Sequence, residues 1–270
     1  MKPWVIALIL GILILCVVLG LYFGLKRKSY PHKNERVYVW IHIALLRRWE
    51  EILKEELDLL KSSGLAKHAK IFYCVVGGPK EKVEPLMNGL DHECVEDYED
   101  VRLHECPTLH HLHNFAKENP NKKVLYIHTK GTSRPKDSNS DEWRRYMLYF
   151  LVGHYKECLH FLDSYSTVGV HLIGENHYSG NFWWAQTNHL STLDHLGENA
   201  CWSEKPMTAP NHPRMKAEYW CLSRPKKGSH LSIHQLPPDH PKYNAGMTLY
   251  SVSALEFDYK KDGVKKALVV

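Results

Sequence analysis

The chain has 270 residues, 44% of them hydrophobic, which is ample for one large domain or two small ones behind an apolar leader. A formal net charge of +5, without a long Lys/Arg run in the body of the chain, argues against a nucleic-acid partner and suits a groove for an anionic small molecule. Seven cysteines with no CxxC pair exclude a structural zinc ribbon, and their number is compatible with free thiols or with bridges.

After a short flank at residues 1–3, residues 4–25 are apolar without a charge. At about 1.5 Å per residue that length crosses a hydrocarbon core of about 30 Å, so the sequence predicts an uncleaved single-pass anchor. A secretory signal would have a shorter apolar region and a small-residue cleavage site, which GLYFGLKRK does not offer. Residues 26–36 form a basic juxtamembrane linker. Lys26, Arg27, Lys28, Lys33 and Arg36 outnumber Lys2 on the other side, so the positive-inside rule predicts a cytosolic domain over residues 37–270. The absence of any Asn-x-Ser/Thr sequon agrees with this without deciding it, and a type II arrangement with the domain in the Golgi or ER lumen stays open.

Val37 to Leu45, β-branched and aromatic, reads as a buried first strand. Leu46, Trp49, Ile52, Leu53, Leu57 and Leu60 then recur at helical spacing up to Ser62-Ser63-Gly64, with Glu50 four before Lys54. Lys70 to Val76 is a second strand that Gly77-Gly78-Pro79 turns at its carboxyl end, where open α/β sheets place ligands. Between Glu81 and Asp100 the pattern weakens into an acidic loop or edge, in which Asp97 and Glu99 have the spacing of a metal-capable pair. A helix starts at Pro107-Thr108 and ends at Asn119-Pro120, and carries His110, His111 and His113 as neutral, partly exposed side chains.

Lys123 to Ile127, a third strand, runs directly into His128-Thr129-Lys130-Gly131-Thr132-Ser133. This turn lacks P-loop spacing but has phosphate-binding chemistry: a point charge on Lys130, close backbone approach at Gly131, and hydroxyls and amides around them. An amphipathic helix follows, with Asn139 or Ser140 as N-cap and Trp143, Met147, Phe150, Leu151, His154, Cys158 and Leu162 on one face; Arg144 and Arg145 could reach an anion near the turn. Val168 to Ile173 is a fourth strand leading to HYSGNFWWA, residues 177–185. There Gly180 allows close approach, Asn181 can donate and accept, and Trp183 and Trp184 offer flat faces of the kind that stack on sugar rings. The same residues read equally as a strand alternating between core and surface. Gly197 to His212 is loop-like, and Arg214 to Ser223 is helical, with Glu218 beside Tyr219 and Trp220 as a candidate general base or an ordinary helix-entry carboxylate. The tail, with His230, His234 and His240, has no strong periodicity and is expected to wrap the surface.

In this order the motifs YIHTKGTS, W-R-x-x-M, HYSGNFWWA and AEYW, with WEEILKEEL and SGL near the first helix, resemble glycosyltransferases of GT-A-like fold related to the rhamnan-synthesis F group. The likeness spans about Val37 to Ser223. It implies a single α/β domain with a mixed, mostly parallel sheet, a nucleotide-sugar donor, and a glycan, lipid-linked or protein-linked acceptor. It also implies that His128, Lys130, Gly131, Thr132 and Ser133 bind the donor diphosphate, that Gly180, Asn181, Trp183 and Trp184 hold a sugar, and that Glu218 deprotonates the acceptor. Such enzymes commonly carry Asp-x-Asp with Mn or Mg where this chain has His128-Thr129-Lys130. With Lys130 in that place, little or no dependence on a divalent metal is expected. A catalytically inactive membrane-tethered sugar-binding protein and a membrane-anchored scaffold are the alternatives.

Overall fold

Three runs with almost no exposed side chain lie side by side in parallel: Val37–Ala44 (β1), Ala69–Val76 (β2) and Lys123–His128. Burial on both faces explains why their sequences are near-continuously apolar instead of alternating. The computed structural model describes residues 36–136, 138–174, 176–206, 208–224, 226, 228–235 and 268–269. The flank, the predicted anchor and all of the linker except Arg36 lie outside them; among the described residues no helix is long and apolar enough to cross a membrane.

His92–Tyr98 (β3) extends the parallel set beyond β2, and Lys123–His128 is β4. The described residues form an eight-stranded sheet in the order β10-β9-β5-β8-β4-β1-β2-β3, with β5 at Thr167–Gly169, β8 at Trp183–Gln186, β9 at His230–Ser232 and β10 at Leu268–Val269. β8 runs antiparallel between β4 and β5, and β10 pairs antiparallel with β9; the other pairings are parallel. The fold is therefore mixed α/β with a mostly parallel central sheet. A separate ribbon of Leu172–Ile173 (β6) and His177–Tyr178 (β7) leads into β8.

Each sheet face is covered by its own apolar layer. Trp49–Ser62 (α1) buries Leu53, Leu57 and Leu60 against Val39, Ile41, Ile71, Leu125 and Ile127, joined by Trp143 and Met147. On the other face Cys106–Glu118 (α3, after the single turn α2 at Glu84–Met87) buries Leu109 and Leu112 with Trp40, Phe72 and Tyr126. Along β4 the split alternates strictly: Leu125 and Ile127 face one layer, Val124 and Tyr126 the other.

Several expectations change. The long helix predicted from residue 139 is broken into Asn139–Leu148 (α4), a π-helical turn at Tyr149–Gly153, and Tyr155–Phe161 (α5), with Ser138 at the N-cap position. The fourth strand is cut at His171, whose φ of 49° no strand residue adopts. The acidic edge is strand β3, which gains its place by pairing with β2 and not by burial. Lys54 pairs with Asp58 rather than Glu50. Part of the tail enters the sheet: β9, three residues too short to show a period, is fully buried beside β5. The described residues fall within one compact unit, Glu35–Val270.

Gly169 lets Tyr178 lie flat on β5, where its hydroxyl meets Thr167 Oγ1 at 2.8 Å and donates to the Leu231 carbonyl at 3.1 Å. A Cβ at residue 169 would overlap the Tyr178 ring. Gly169→Ala is expected to cost about 1–3 kcal/mol in chemical denaturation, the usual penalty of overpacking, whereas Gly197→Ala, which meets nothing within 4 Å, is expected to leave the midpoint nearly unchanged.

Candidate functional site

The chain leaves β4 beside the end of β1 and continues as the turn His128–Ser133. Thr129 N donates to the His42 carbonyl at 3.0 Å, and Thr129 Oγ1 accepts from Ala44 N at 3.1 Å, so the turn starts as an extension of the sheet. Lys130 N donates to the His128 carbonyl at 2.6 Å, and Gly131 follows with φ 95°. A Cβ on Gly131 would lie 3.3 Å from Arg144 Nη1, from Asp141 Oδ1 and from Ser140 Cβ, which makes glycine the fitting residue there.

Arg144, buried beneath the turn, closes it. Its Nη1 donates to the Lys130 carbonyl and to Asp141 Oδ1, both at 2.7 Å, and its Nη2 to Glu55 Oε2 at 2.6 Å. Arg48 adds a second cation, 2.9 Å from Asp141 Oδ2. Burial alone would raise the Asp141 carboxyl, but hydrogen bonds from Arg144 and Arg48 outweigh it and hold the group below the usual carboxylate range. Both terminal nitrogens of Arg144 are thus taken, by two carboxylates and the Lys130 carbonyl, while its buried Nε has no partner among the described residues. Arg145 is drawn to Glu55 Oε1 at 2.8 Å and does not line the cleft. Neither arginine is the anion contact expected from the sequence, because acidic residues on α1 and α4 take up both guanidinium groups.

Above the turn lies a cleft of about 780 Å³ at the carboxyl edge of the parallel strands. His128, Lys130, Gly131, Thr132 and Ser133 all line it, and so does Glu218, carried across from the turn by the short helix Met215–Trp220 (α7, after α6 at Thr187–Leu190). The two most separated parts of the expected site therefore meet. Among the described residues no ion pair neutralises Lys130.

HYSGNFWWA does not form a wall of this cleft. Trp183 and Trp184 are buried on opposite faces of β8: Trp183 stacks on Tyr126 at 5.0 Å, and Trp184 Nε1 donates to the Leu151 carbonyl at 2.8 Å. Both faces of β8 are covered, Trp184 lying in one apolar layer and Trp183 in the other, so neither ring is available to a sugar. Gly180 and Asn181 form a corner behind the turn. Both have positive φ, the Gly180 carbonyl lies 3.1 Å from His128 Nε2, and Asn181 Oδ1 accepts from Trp183 Nε1 at 2.8 Å. Trp143 Nε1 donates to the neighbouring Ser179 carbonyl at 3.1 Å. These residues support His128 from the core.

Several cleft residues were not foreseen. Glu105 precedes α3, whose start faces the ligand edge because parallel β-α connections put helix N-termini at the carboxyl ends of strands; that rule and Pro107 could have pointed to it. Its oxygen Oε1 lies 3.4 Å from His128 Nδ1. Arg214, 3.7 Å from Glu218 Oε1, is an i,i+4 pair legible in hindsight. His42, His104 and His212 also line the cleft. Burial pushes His128 down to about 4, helped by Lys130, and His104 down to about 4, helped by His212; burial also lowers His42 and raises Glu105. A bridge between Cys106 and Cys201, with Cα atoms 5.7 Å apart, ties the start of α3 to the loop that brings Ser203, Glu204, Lys205 and Pro206 to the rim. Closing a loop of that length is worth roughly 4–5 kcal/mol in chain entropy. Among the described residues no three His, Cys, Asp or Glu side chains are grouped to hold a metal ion.

Residues 42–226 match the family described as a domain of unknown function, DUF8361, and the chain belongs to that family. No curated protein matches it. Among solved structures, the crystal structure of HddC from Yersinia pseudotuberculosis is similar at 10% identity with a TM-score of 0.36, covering 60% of this chain and 81% of that one, a likeness too slight to carry an argument.

Removing the Asn181 amide would strand the buried Trp183 Nε1 and put alanine at a φ of 59°. Asn181→Ala is therefore expected to lose about 2–4 kcal/mol of stability by denaturant titration, from an unpaired buried donor and left-handed strain together. A variant of unchanged stability would contradict this structural role.

Proposed function

We propose that the chain is a membrane-anchored glycosyltransferase that moves a sugar from a nucleotide-sugar donor to a hydroxyl of a glycan, lipid-linked or protein-linked acceptor. One observation carries the reading: a basic, hydroxyl-bearing turn and a carboxylate from a distant helix share one cleft at the carboxyl edge of a parallel sheet. The reaction needs both. As the donor's bond from sugar carbon to phosphate oxygen breaks, its electron pair moves onto the diphosphate, and Lys130 with the donors of residues 131–133 is suited to that growing charge. As the acceptor oxygen bonds to the same carbon, its proton passes to Glu218. Arg214 is 3.7 Å from one Glu218 oxygen, and no hydrogen bond to Glu218 is formed among the described residues, which leaves it free to accept.

The end of β4 does not fit a divalent ion on the diphosphate. His128 Nε2 is held by the Gly180 carbonyl, no third His, Cys, Asp or Glu among the described residues joins His128 and Glu105 as a ligand set, and the next charged group is a cation. The mechanism therefore has no metal step. The sugar-binding alternative relied on an aromatic wall, and burial of Trp183 and Trp184 removes its support. The Cys106–Cys201 bridge supports the oxidising side of a membrane, the Golgi or ER lumen, over the cytosolic side that flanking charge favours.

The test is release of nucleoside diphosphate from a panel of nucleotide sugars by the full chain in detergent. Turnover of at least one donor is expected to survive chelator. Glu218→Gln is expected to lower kcat by about 10²–10⁴-fold, and Lys130→Ala to lower kcat/KM by about 10²-fold or more. If no donor is bound or turned over, the transferase reading fails; strict loss in chelator would defeat the role given to Lys130.

A further inference from the structure

The most constrained group in the cleft is the His128 ring. Nε2 faces the Gly180 carbonyl at 3.1 Å, an acceptor only, so Nε2 must carry a hydrogen. In a neutral ring that leaves a lone pair on Nδ1, and Glu105 Oε1 lies 3.4 Å from it, at ion-pair distance without a formed hydrogen bond. Both side chains are about nine-tenths buried, at 11% exposure each. Two lone pairs facing each other away from water are repulsive, and one proton between them removes the repulsion whichever atom holds it.

We propose that Glu105 and His128 act as one unit sharing a single proton, and that this unit keeps the cleft floor free of net negative charge so that a diphosphate can settle against Lys130. The inference rests on the reading of the cleft as a diphosphate site. The unit is neutral with one proton; without it, a buried negative charge faces the incoming anion. Glu105 is on this account a positioning residue: it sets the tautomer that ties His128 to the Gly180 corner, and it sets the charge beneath the turn. The groups facing the pair are the cations Lys130 and Arg214, the Glu218 carboxylate, the Tyr126 phenol, and the imidazoles of His42 and His104. Burial raises Glu105 and lowers His128, and both directions favour the proton on the carboxyl, donated to Nδ1.

The experiment is calorimetric titration of the full chain in detergent with inorganic pyrophosphate from pH 5.5 to pH 9, for the wild type and Glu105→Gln. The glutamine amide can still donate to Nδ1 but cannot become an anion. The two proteins are expected to bind alike at low pH, with the variant gaining as pH rises until it binds about tenfold tighter at pH 9, the size expected from removing one nearby buried charge. Any titration of Lys130 affects both proteins and cancels in the ratio. An affinity ratio constant across the range would overturn the proposal. A second measurement needs no ligand: two-bond ¹H–¹⁵N spectra of the histidine rings, in which His128 is expected to stay in the Nε2–H tautomer throughout, with Nδ1 accepting a hydrogen bond at low pH and losing it as pH rises. A His128 ring that titrates freely near its ordinary value would equally overturn the proposal. If pyrophosphate binds neither protein, the diphosphate reading fails, and the ring spectrum still decides the shared proton.

Discussion

A guanidinium charge shut away from water needs partners where it stands, and the cleft is built on those that Arg144 Nη1 and Nη2 find, its Nε having none among the described residues. Left unpaired, such a charge would cost several kcal/mol. Here it is met by Asp141 from its own helix, Glu55 from α1 and the Lys130 carbonyl from the turn, so one side chain joins the helical layer to the loop that leaves the sheet. The carbonyl of Lys130 is drawn inward to this cation while its side chain lines the cleft. Gly131 then fits because nothing larger than hydrogen sits comfortably between Arg144 and Asp141. The turn is tied to this ion-pair network through the Lys130 carbonyl, not through any strong local preference of its own.

A second support comes from the opposite side. The corner at Gly180 and Asn181 presses against Trp143, where a Cβ on Gly180 would come 2.5 Å from Nε1, and it offers its carbonyl to His128. Phe182, Trp183 and Trp184 anchor that corner in both apolar layers at once. The aromatic residues contribute to the cleft by fixing the position of His128, and a change in their packing would reach the site through that ring. Sheet order makes this possible: β8 lies antiparallel beside β4, so the corner preceding β8 arrives at the end where β4 finishes.

Much of this was legible in the chain. β1, β2, β4 and α1 follow from apolar runs and helical spacing, and the turn after β4 announces itself by small polar residues around a lysine. Glu218 could be singled out, although only the fold brings it to the turn. What could not be read was set by neighbours distant in sequence. Whether Trp183 and Trp184 face a ligand or the core depends on whether apolar layers cover both faces of β8, which no local pattern encodes. Arg144 and Arg145 look like anion contacts until Glu55, some ninety residues earlier, is placed beside them. Glu105 falls in a stretch without periodicity, and the pairing of Cys106 with Cys201 required the loop after α6 to be located first.

On the proposed reading, one cleft receives an anion at the His128–Ser133 turn, with Glu218 brought to it by α7. Hydrogen exchange of the full chain in detergent, with and without a nucleoside diphosphate, tests that most directly, since amide protection reports the site without assuming turnover. New protection is expected to be confined to residues 129–134 and to the α7 segment around residues 214–218. Protection elsewhere, with these two segments unchanged at saturating ligand, would contradict it.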